Sequence, residues 1–164
     1  MGQIPDVTTQ PADTTAASID ITEILRRLPH RYPFLLVDRA VAYVASKSIR
    51  GIKCVTINEP YFPGHFPHEP VMPGVLQIEA MAQTGAVLMS KSLDVDVTRN
   101  TILFMSVDKV RFRRPVRPGD VLEMPVEVLF ARRNIFKFRG RAEVRGELAA
   151  EAEFAAMKVE LENL

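Results

Sequence analysis

The longest apolar run of the chain follows a proline-rich loop and predicts one buried helix. From Gly74 to about Lys91, leucine, methionine, alanine and valine fall on most faces of a 3.6-residue period. Pro73 and Gly74 stand where such a helix would begin. A helix that is apolar almost all round belongs in the middle of a fold, so we predict that this segment is the central element.

Beyond a polar break at 94–100, a period of two replaces the helical pattern and predicts strands. In each of two segments the apolar residues share one face, and in the second the charged residues occupy the other. The apolar positions are Leu122, Met124, Val126, Val128 and Phe130 in the first segment and Phe136, Phe138, Ala142 and Val144 in the second. The Pro-Gly pair within 117–120 predicts a type II turn ahead of the first segment.

A short helix and two strands are predicted ahead of the proline-rich loop. Asp20 and Glu23 form a capping-box pattern for a helix that runs to about Leu28. The segments 34–44 and 48–58 are apolar and strand-like, and the single cysteine of the chain falls in the second of them. In that alternating pattern the cysteine is expected to be a small apolar strand residue rather than a nucleophile.

The last segment, 147–161, is ambiguous. Its alanines and glutamates favour a helix, whereas its apolar residues keep a period of two as far as Phe154. We predict a strand with a bulge near Ala155 or Ala156, because the apolar phase moves there. One long helix and about five largely antiparallel strands, without alternation of strand and helix, predict an α+β fold whose sheet wraps around the helix.

Composition adds limits on domain number and partners. The 164 residues suit one domain, and 47% hydrophobic residues, 25% charged residues and a net charge of +1 carry no overall nucleic-acid or membrane signature. Residues 1–18 are polar and rich in threonine, alanine and proline, so we expect a flexible arm there and a single domain at 19–164. No apolar run approaches the roughly 20 residues that span a bilayer, and we expect a cytoplasmic location.

Candidate chemistry concentrates in the proline-rich loop and the start of the predicted helix. His65 or His68 offers a base near neutral pH, and Glu79 falls where a carboxyl group must be neutral or hydrogen-bonded. The N–H groups of Gly74 and Val75 would have no acceptor within the helix and could hold a developing oxyanion. A base, an acid and an anion-binding helix start together suit proton abstraction next to a carbonyl.

Each of these residues also has a structural explanation. A histidine taken alone, His30 included, is more often structural than catalytic, and the residues by themselves do not decide between the three. Glu79 is equally well explained as a buried acid held by Gln83 one helical turn along. A metal site on the two loop histidines is disfavoured, because the prolines around them prevent the helix that would align their side chains. We therefore predict no metal.

Three motifs occur along the chain: LPHRYPFLLVDR at 28–39, GHFPHEPVMPGVLQIEAMAQ at 64–83 and VRFRRPVRPGD at 110–120. In sequence and in order they closely resemble the (3R)-hydroxyacyl-[acyl-carrier-protein] dehydratases of the FabZ type, and the similarity runs from about Asp20 to the end. The resemblance implies a hotdog fold and a homodimer with shared active sites, which often assembles into a hexamer. It also implies an acyl substrate carried on the phosphopantetheine of acyl carrier protein, and no cofactor.

The resemblance assigns a role to each candidate residue of the loop and helix. His65 matches the catalytic histidine, and Glu79 matches the catalytic acid that the other subunit contributes. Gly74 matches the glycine whose N–H meets the thioester carbonyl; Val75 supplies the next N–H, and Phe66 would border the acyl tunnel. The implied reaction converts a 3-hydroxyacyl thioester into a trans-2-enoyl thioester, and Glu rather than Asp at position 79 favours dehydration without isomerisation.

The resemblance also suggests where the carrier protein docks. No acidic residue occurs from 109 to 117, and a solvated strand face is the simple explanation of its cations. The carrier protein of the family is acidic and docks on basic residues near the tunnel mouth. The docking candidates are Arg111, Arg113, Arg114, Arg132 and Arg133.

Three alternatives remain at the level of sequence. A hotdog thioesterase would hydrolyse the same class of thioester, and a dehydratase-isomerase would go on to a cis-3-enoyl product. A module that only binds acyl groups or carrier protein would keep the fold without the chemistry. Such a module needs no combination of His65, Gly74 and Glu79.

Overall fold

The computed structural model describes residues 18–163, so the predicted arm at 1–18 lies outside the described residues except for Ser18. Two α-helices and six strands make up most of this part of the chain. They are α1 (Ile21–Arg27), β1 (Arg39–Val44), β2 (Ser48–Cys54), α2 (Gly74–Ser92), β3 (Asn100–Phe112), β4 (Val121–Arg132), β5 (Ile135–Val144) and β6 (Glu147–Glu160), followed by a 3₁₀ turn at Leu161–Asn163.

The six strands form one antiparallel sheet in the order β1-β2-β4-β5-β6-β3, and α2 packs against β2, β4, β5 and β6. The α+β prediction and the central helix are therefore confirmed. The largest fully buried side chains come from both layers, and among them are Phe136, Phe138, Phe154, Met81, Leu88 and Met89. None of the helices in the described residues is long and apolar enough to cross a membrane.

Local predictions near the N-terminus are confirmed with one change. The Glu23 N–H donates to Asp20 Oδ1 at 2.9 Å, so Asp20 caps α1 as the pattern indicated. The Glu23 carboxylate does not complete the capping box; it pairs with Arg27 and with Lys91 of α2. The first helix is thereby tied to the second.

The strand predicted from residue 34 is wrong for its first five positions, because β1 begins at Arg39. Two backbone groups of 34–36 instead bond to a side chain of α2. The Leu36 N–H donates to Gln83 Oε1 at 2.8 Å, and Gln83 Nε2 donates to the Phe34 carbonyl at 2.7 Å. Cys54 does lie in a strand, as the last residue of β2, but its side chain is exposed.

Two details of alternation in the later strands are also wrong. Leu129 is an extra residue in the pairing of β4 with β5, and Phe130 beyond it is half exposed instead of facing the core. The predicted bulge at Ala155 or Ala156 is not in β6. The extra residue there is Met105 of the neighbouring strand β3. The predicted type II turn is consistent with Gly119, whose φ of +93° lies in the left-handed region.

Close approach of α2 to the sheet depends on glycines in the strands. A β-carbon built on Gly51 of β2 would lie 2.2 Å from Thr84 Oγ1, and one on Gly140 of β5 would lie 3.0 Å from Met81 Sδ. Thr84 is fully buried, and its hydroxyl donates to the Ala80 carbonyl at 2.8 Å. The helix backbone therefore sits nearer to β2 than any larger residue would allow.

Gly51→Ala is expected to lower the free energy of unfolding by about 1–3 kcal/mol, because the new methyl group overlaps a hydroxyl that cannot turn away without losing its bond. Denaturant unfolding measures this loss. Gly64→Ala is the matched control, since its new methyl group would meet only the Tyr61 carbonyl, at 3.9 Å. Equal losses for the two variants would contradict the close-packing account.

Candidate active site

His65 lies in the loop between β2 and α2, and the backbone of that loop fixes its ring. The His65 Nδ1 lies 2.6 Å from the Val71 carbonyl oxygen. Because a carbonyl can only accept, Nδ1 carries the proton and Nε2 of the neutral ring keeps a free lone pair. The His65 N–H donates to the Tyr61 carbonyl at 2.9 Å, and the Val71 N–H donates back to the His65 carbonyl at 3.0 Å. Nε2 is therefore the nitrogen available as a base.

The aromatic neighbour of His65 further limits the movement of the imidazole ring. Phe66 stacks on the imidazole with ring centroids 4.1 Å apart and an interplanar angle of 24°. The Phe66 side chain is nevertheless half exposed, so it borders the outside of the loop rather than the core. His68, the other loop histidine, is exposed and makes no hydrogen bond or ion pair within the described residues. Geometry thus favours His65 over His68 as the base.

The loop that carries His65 is anchored by a buried ion pair that sequence reasoning missed. Lys53 of β2 binds Glu59, and their side chains are only 6% and 11% exposed. Asp38 Oδ2 lies 4.0 Å from the same ammonium group. The Phe62 N–H then donates to the Glu59 carbonyl, one turn before His65. The available signal was a lysine within an apolar strand, six residues ahead of a glutamate.

The start of α2 offers two N–H groups, as expected. Hydrogen bonding to the Pro73 carbonyl begins with Leu76, at 3.0 Å, and neither Gly74 nor Val75 donates its N–H within the described residues. A β-carbon on Gly74 would lie 2.6 Å from the Phe112 ring, so only glycine allows that ring to cover the helix start. The arrangement leaves two donors beside an aromatic wall.

Glu79 is mostly buried, and Gln83 and His30 lie beside its carboxyl group. Its Oε1 accepts from Gln83 Nε2 at 2.8 Å, as the structural alternative predicted, and lies 3.6 Å from His30 Nε2. Burial lowers the pKa of His30, and the Glu79 carboxylate opposes that shift only in part. His30 is therefore mainly neutral at neutral pH. Nothing in the sequence assigns His30 more than a structural role, yet His30 faces the candidate acid.

The single chain does not join the candidate base to the candidate acid. Within the described residues, no hydrogen bond or ion pair links His65 to Glu79, and each has separate partners. A cavity of about 30 Å³ beside Glu79 is lined by residues of α2, β3 and β6 and by His30, without any residue of the His65 loop. Within one chain the candidate base and the candidate acid therefore have separate surroundings.

The five candidate docking arginines fall into two groups. Arg113 pairs with Glu151 at 3.1 Å, Arg114 pairs with Glu147, and Arg111 borders a cavity of about 260 Å³ on the outer face of the sheet. The other two candidates, at the β4–β5 turn, lie six residues further along β6 by strand register, roughly 20 Å away. The structure brings together the first three and not all five.

In residues 18–163, no group of three His, Cys, Asp or Glu side chains has the arrangement of a metal site.

Breaking the loop anchor is expected to destabilise the protein strongly. Lys53→Met should cost about 3–5 kcal/mol of unfolding free energy, because it leaves the Glu59 carboxylate buried without its partner. Lys53→Met combined with Glu59→Leu should recover much of that loss. Arg50→Met, on the same strand, is the control: its pair with Glu123 is well exposed and should be worth about 1 kcal/mol or less. Equal effects at positions 50 and 53, by denaturant unfolding, would refute the anchor.

Comparison with known proteins gives a consistent family. The sequence profile of the FabA-like domain matches residues 28–153. A protein of Caulobacter vibrioides named 3-hydroxyacyl-[acyl-carrier-protein] dehydratase FabZ is 72% identical over 142 residues, which cover 87% of this chain and 89% of that protein.

Two solved structures share the fold at low sequence identity. The dehydratase heterocomplex ApeI:P of Xenorhabdus doucetiae gives a TM-score of 0.70 at 18% identity, over 85% of this chain and 92% of that one. A mutant thioesterase of Pseudomonas aeruginosa gives a TM-score of 0.54 at 15% identity, over 75% and 81%. Since a dehydratase complex and a thioesterase both match, the fold alone does not select between the two reactions.

Proposed function

The chain belongs to the FabA-like family, and from that membership we propose that it dehydrates (3R)-3-hydroxyacyl-[acyl-carrier-protein] to the trans-2-enoyl form and water. This is the dehydration step of the elongation cycle in type II fatty acid synthesis, and it takes place in the cytoplasm. The observation that carries the proposal is the 72% identity to a dehydratase of that name over 87% of the chain. The protein is thus an enzyme, a hydro-lyase.

The proposed mechanism is a β-elimination in which each candidate residue moves or holds one charge. His65 Nε2 takes the proton from C2, and the electrons of that C–H bond pass first into an enolate-like thioester and then into the C2–C3 double bond as the C3–O bond breaks. The N–H of Gly74, with that of Val75, stabilises the negative charge on the thioester oxygen. Glu79 gives its proton to the departing hydroxyl, which leaves as water. These reaction steps need no redox or metal cofactor.

The open edge of the sheet supports a homodimer with shared sites. Strand β3 is an edge strand, and its exposed side chains include several large apolar ones. These are Leu103, Phe104, Met105, Val107 and Phe112, between 40% and 53% exposed. A long apolar edge is a template for pairing with a second copy. We propose that this pairing brings His65 of one subunit to Glu79 of the other, and the hexamer stays a prediction.

Shared sites predict recovery of activity in mixed dimers. His65→Ala and Glu79→Gln, purified separately, should each lose at least about 10²-fold in kcat. Co-expressed, they should regain about a quarter of wild-type activity, because half of the dimers are mixed and each mixed dimer holds one intact site. Enoyl absorbance measures dehydration, and a thiol reagent detects a thioesterase. Activity that stays at the level of the single variants would show that the site is not shared in this way.

The placement of Phe112 favours one group of arginines as the docking surface for acyl carrier protein. Its ring covers the start of α2 at Gly74, so Arg111 and Arg113, on either side of Phe112 in sequence, lie near the N–H groups proposed to bind the thioester oxygen. Arg114 follows directly. Arg132 and Arg133 are far from this position within one chain, and we propose them only as secondary contributors.

Charge reversal tests the docking proposal. Arg111→Glu combined with Arg113→Glu should raise the KM for carrier-bound substrate on the order of tenfold, while the KM for a pantetheine thioester changes little. Arg132→Glu with Arg133→Glu makes the same change of charge and is the matched control, for which a much smaller effect is expected. Equal effects on carrier-bound and pantetheine substrates would refute docking at this surface.

A further inference from the structure

Three buried polar atoms without a hydrogen-bond partner belong to residues around a single cavity. The atoms are His30 Nδ1, Ser90 Oγ and Asn100 Oδ1, and all three residues line the same enclosed space between α2, the end of α1 and the start of β3. The two other unpartnered atoms among the described residues, on Tyr61 and Gln77, do not line it. Unpaired polar atoms are costly in a folded interior, so their grouping needs a physical reason.

This space continues the cavity that begins beside Glu79. His30, Ala86 and Ile102 line both parts. Glu79, Ala86 and Ser90 recur at helical spacing along α2, so one face of the helix forms the floor. Ser90 lies eleven residues beyond Glu79, roughly 16 Å along the helix axis. If the acid acts on the 3-hydroxyl, as the proposed function requires, the acyl chain points towards Ser90.

We propose that the far end of this acyl cavity is a polar subsite, formed by Ser90, Asn100 and His30, that binds a hydroxyl group. The hydroxyl belongs either to an ordered water molecule or to the end of an acyl chain that carries one. The far part of the cavity has a volume of about 10 Å³, near the lower limit for a cavity that holds one water molecule. The inference rests on the proposed function only for the direction of the acyl chain.

The hydrogen-bonding capacities of the three residues complement a water molecule. His30 is mainly neutral, and when its Nε2, which faces the Glu79 carboxyl group, carries the proton, Nδ1 is an acceptor. Asn100 Oδ1 is a second acceptor, since its Nδ2 already donates to the Asp96 carbonyl at 2.9 Å. The Ser90 hydroxyl can donate. A water molecule that gives two hydrogen bonds and accepts one makes the three bonds that are typical of buried water.

The subsite discriminates between acyl chains by the chemistry of their ends. A methyl end that reaches Ser90 displaces the water and leaves these polar atoms unpaired, which weakens binding. An extended chain advances about 1.2 Å per bond, as in extended polypeptide, so about thirteen bonds beyond C3 are needed and only chains of roughly sixteen carbons or more reach the far end. Shorter chains leave the water in place, and a long chain with a terminal hydroxyl replaces it.

Binding of unreactive saturated acyl-pantetheine thioesters tests the subsite without any need for turnover. Calorimetry would compare three probes: a chain of about eight carbons, one of about sixteen, and one of about sixteen with a terminal hydroxyl. In Ser90→Ala the affinity for the long apolar probe relative to the short one should rise about fivefold or more, because one polar group no longer has to be left unpaired. An unchanged ratio would overturn the proposal.

The hydroxylated probe identifies the source of the hydroxyl. Tighter binding of this probe than of its apolar counterpart by the wild type, lost in Ser90→Ala, supports a chain-borne hydroxyl. If Ser90→Ala raises the relative affinity for the long apolar probe, but the wild type binds the hydroxylated probe no more tightly than its apolar counterpart, the subsite binds water alone.

Ser92→Ala provides the matched control. It also removes one hydroxyl from the last turn of α2, but that hydroxyl bonds to Tyr43 and to the Ser46 N–H, and Ser92 lines neither part of the cavity. It should lower stability and leave the probe ratios unchanged. Dehydration of 3-hydroxyacyl substrates is assayed separately. If the protein dehydrates 3-hydroxyacyl substrates but Ser90→Ala leaves the ratio of probe affinities unchanged, the subsite alone is refuted. If Ser90→Ala changes the ratio as expected but the protein shows no dehydration, the proposed function alone is refuted.

Discussion

Close contact between α2 and the sheet is the constraint on which the rest of the molecule depends. Thr84 meets β2 at a glycine, Gly51, and Met81 meets β5 at another, Gly140. Because the helix lies so near the strands, it is held along most of its length and cannot shift without opening the core. The N–H donors at its start, the carboxyl group in its second turn and the hydroxyl near its end are therefore all carried by one rigid element.

The candidate base is placed by different means, because it lies in a loop. His65 is fixed by a carbonyl of its own loop at Nδ1, and the loop in turn is held to β2 by the Lys53–Glu59 pair. A buried ion pair contributes little net stability compared with apolar residues of the same size. It does impose one position on the chain, since neither charge tolerates the loss of the other. Loop prolines reduce the freedom that remains.

Local patterns were enough to predict α2 and most of the strands from their periodicity and α1 from its capping residues, because each pattern is complete within its own segment. Prediction failed where a distant group decides the structure. In the segment 34–38, which is not a strand, Gln83, almost fifty residues away, bonds to the Phe34 carbonyl and the Leu36 N–H. The approach of His30 to Glu79 likewise joins residues that are far apart in the sequence, and no spacing in the sequence reveals that contact. The candidate residues of the site could be identified from the sequence, whereas their hydrogen-bond and ion-pair partners could be identified only from the fold.

Helix geometry itself supports a site shared between two subunits. Gly74 and Glu79 are five residues apart on α2, so at about 100° per residue their directions differ by roughly 140° around the axis. Gly74 faces the Phe112 ring, while Glu79 faces Gln83 and His30 on another side of the helix. The free N–H of Gly74 opens off the start of the helix along its axis, whereas the Glu79 carboxyl group lies in the second turn among these separate neighbours. A second copy that pairs along β3 can supply its own Glu79, which is why the apolar edge strand and the divided chemistry are best explained together.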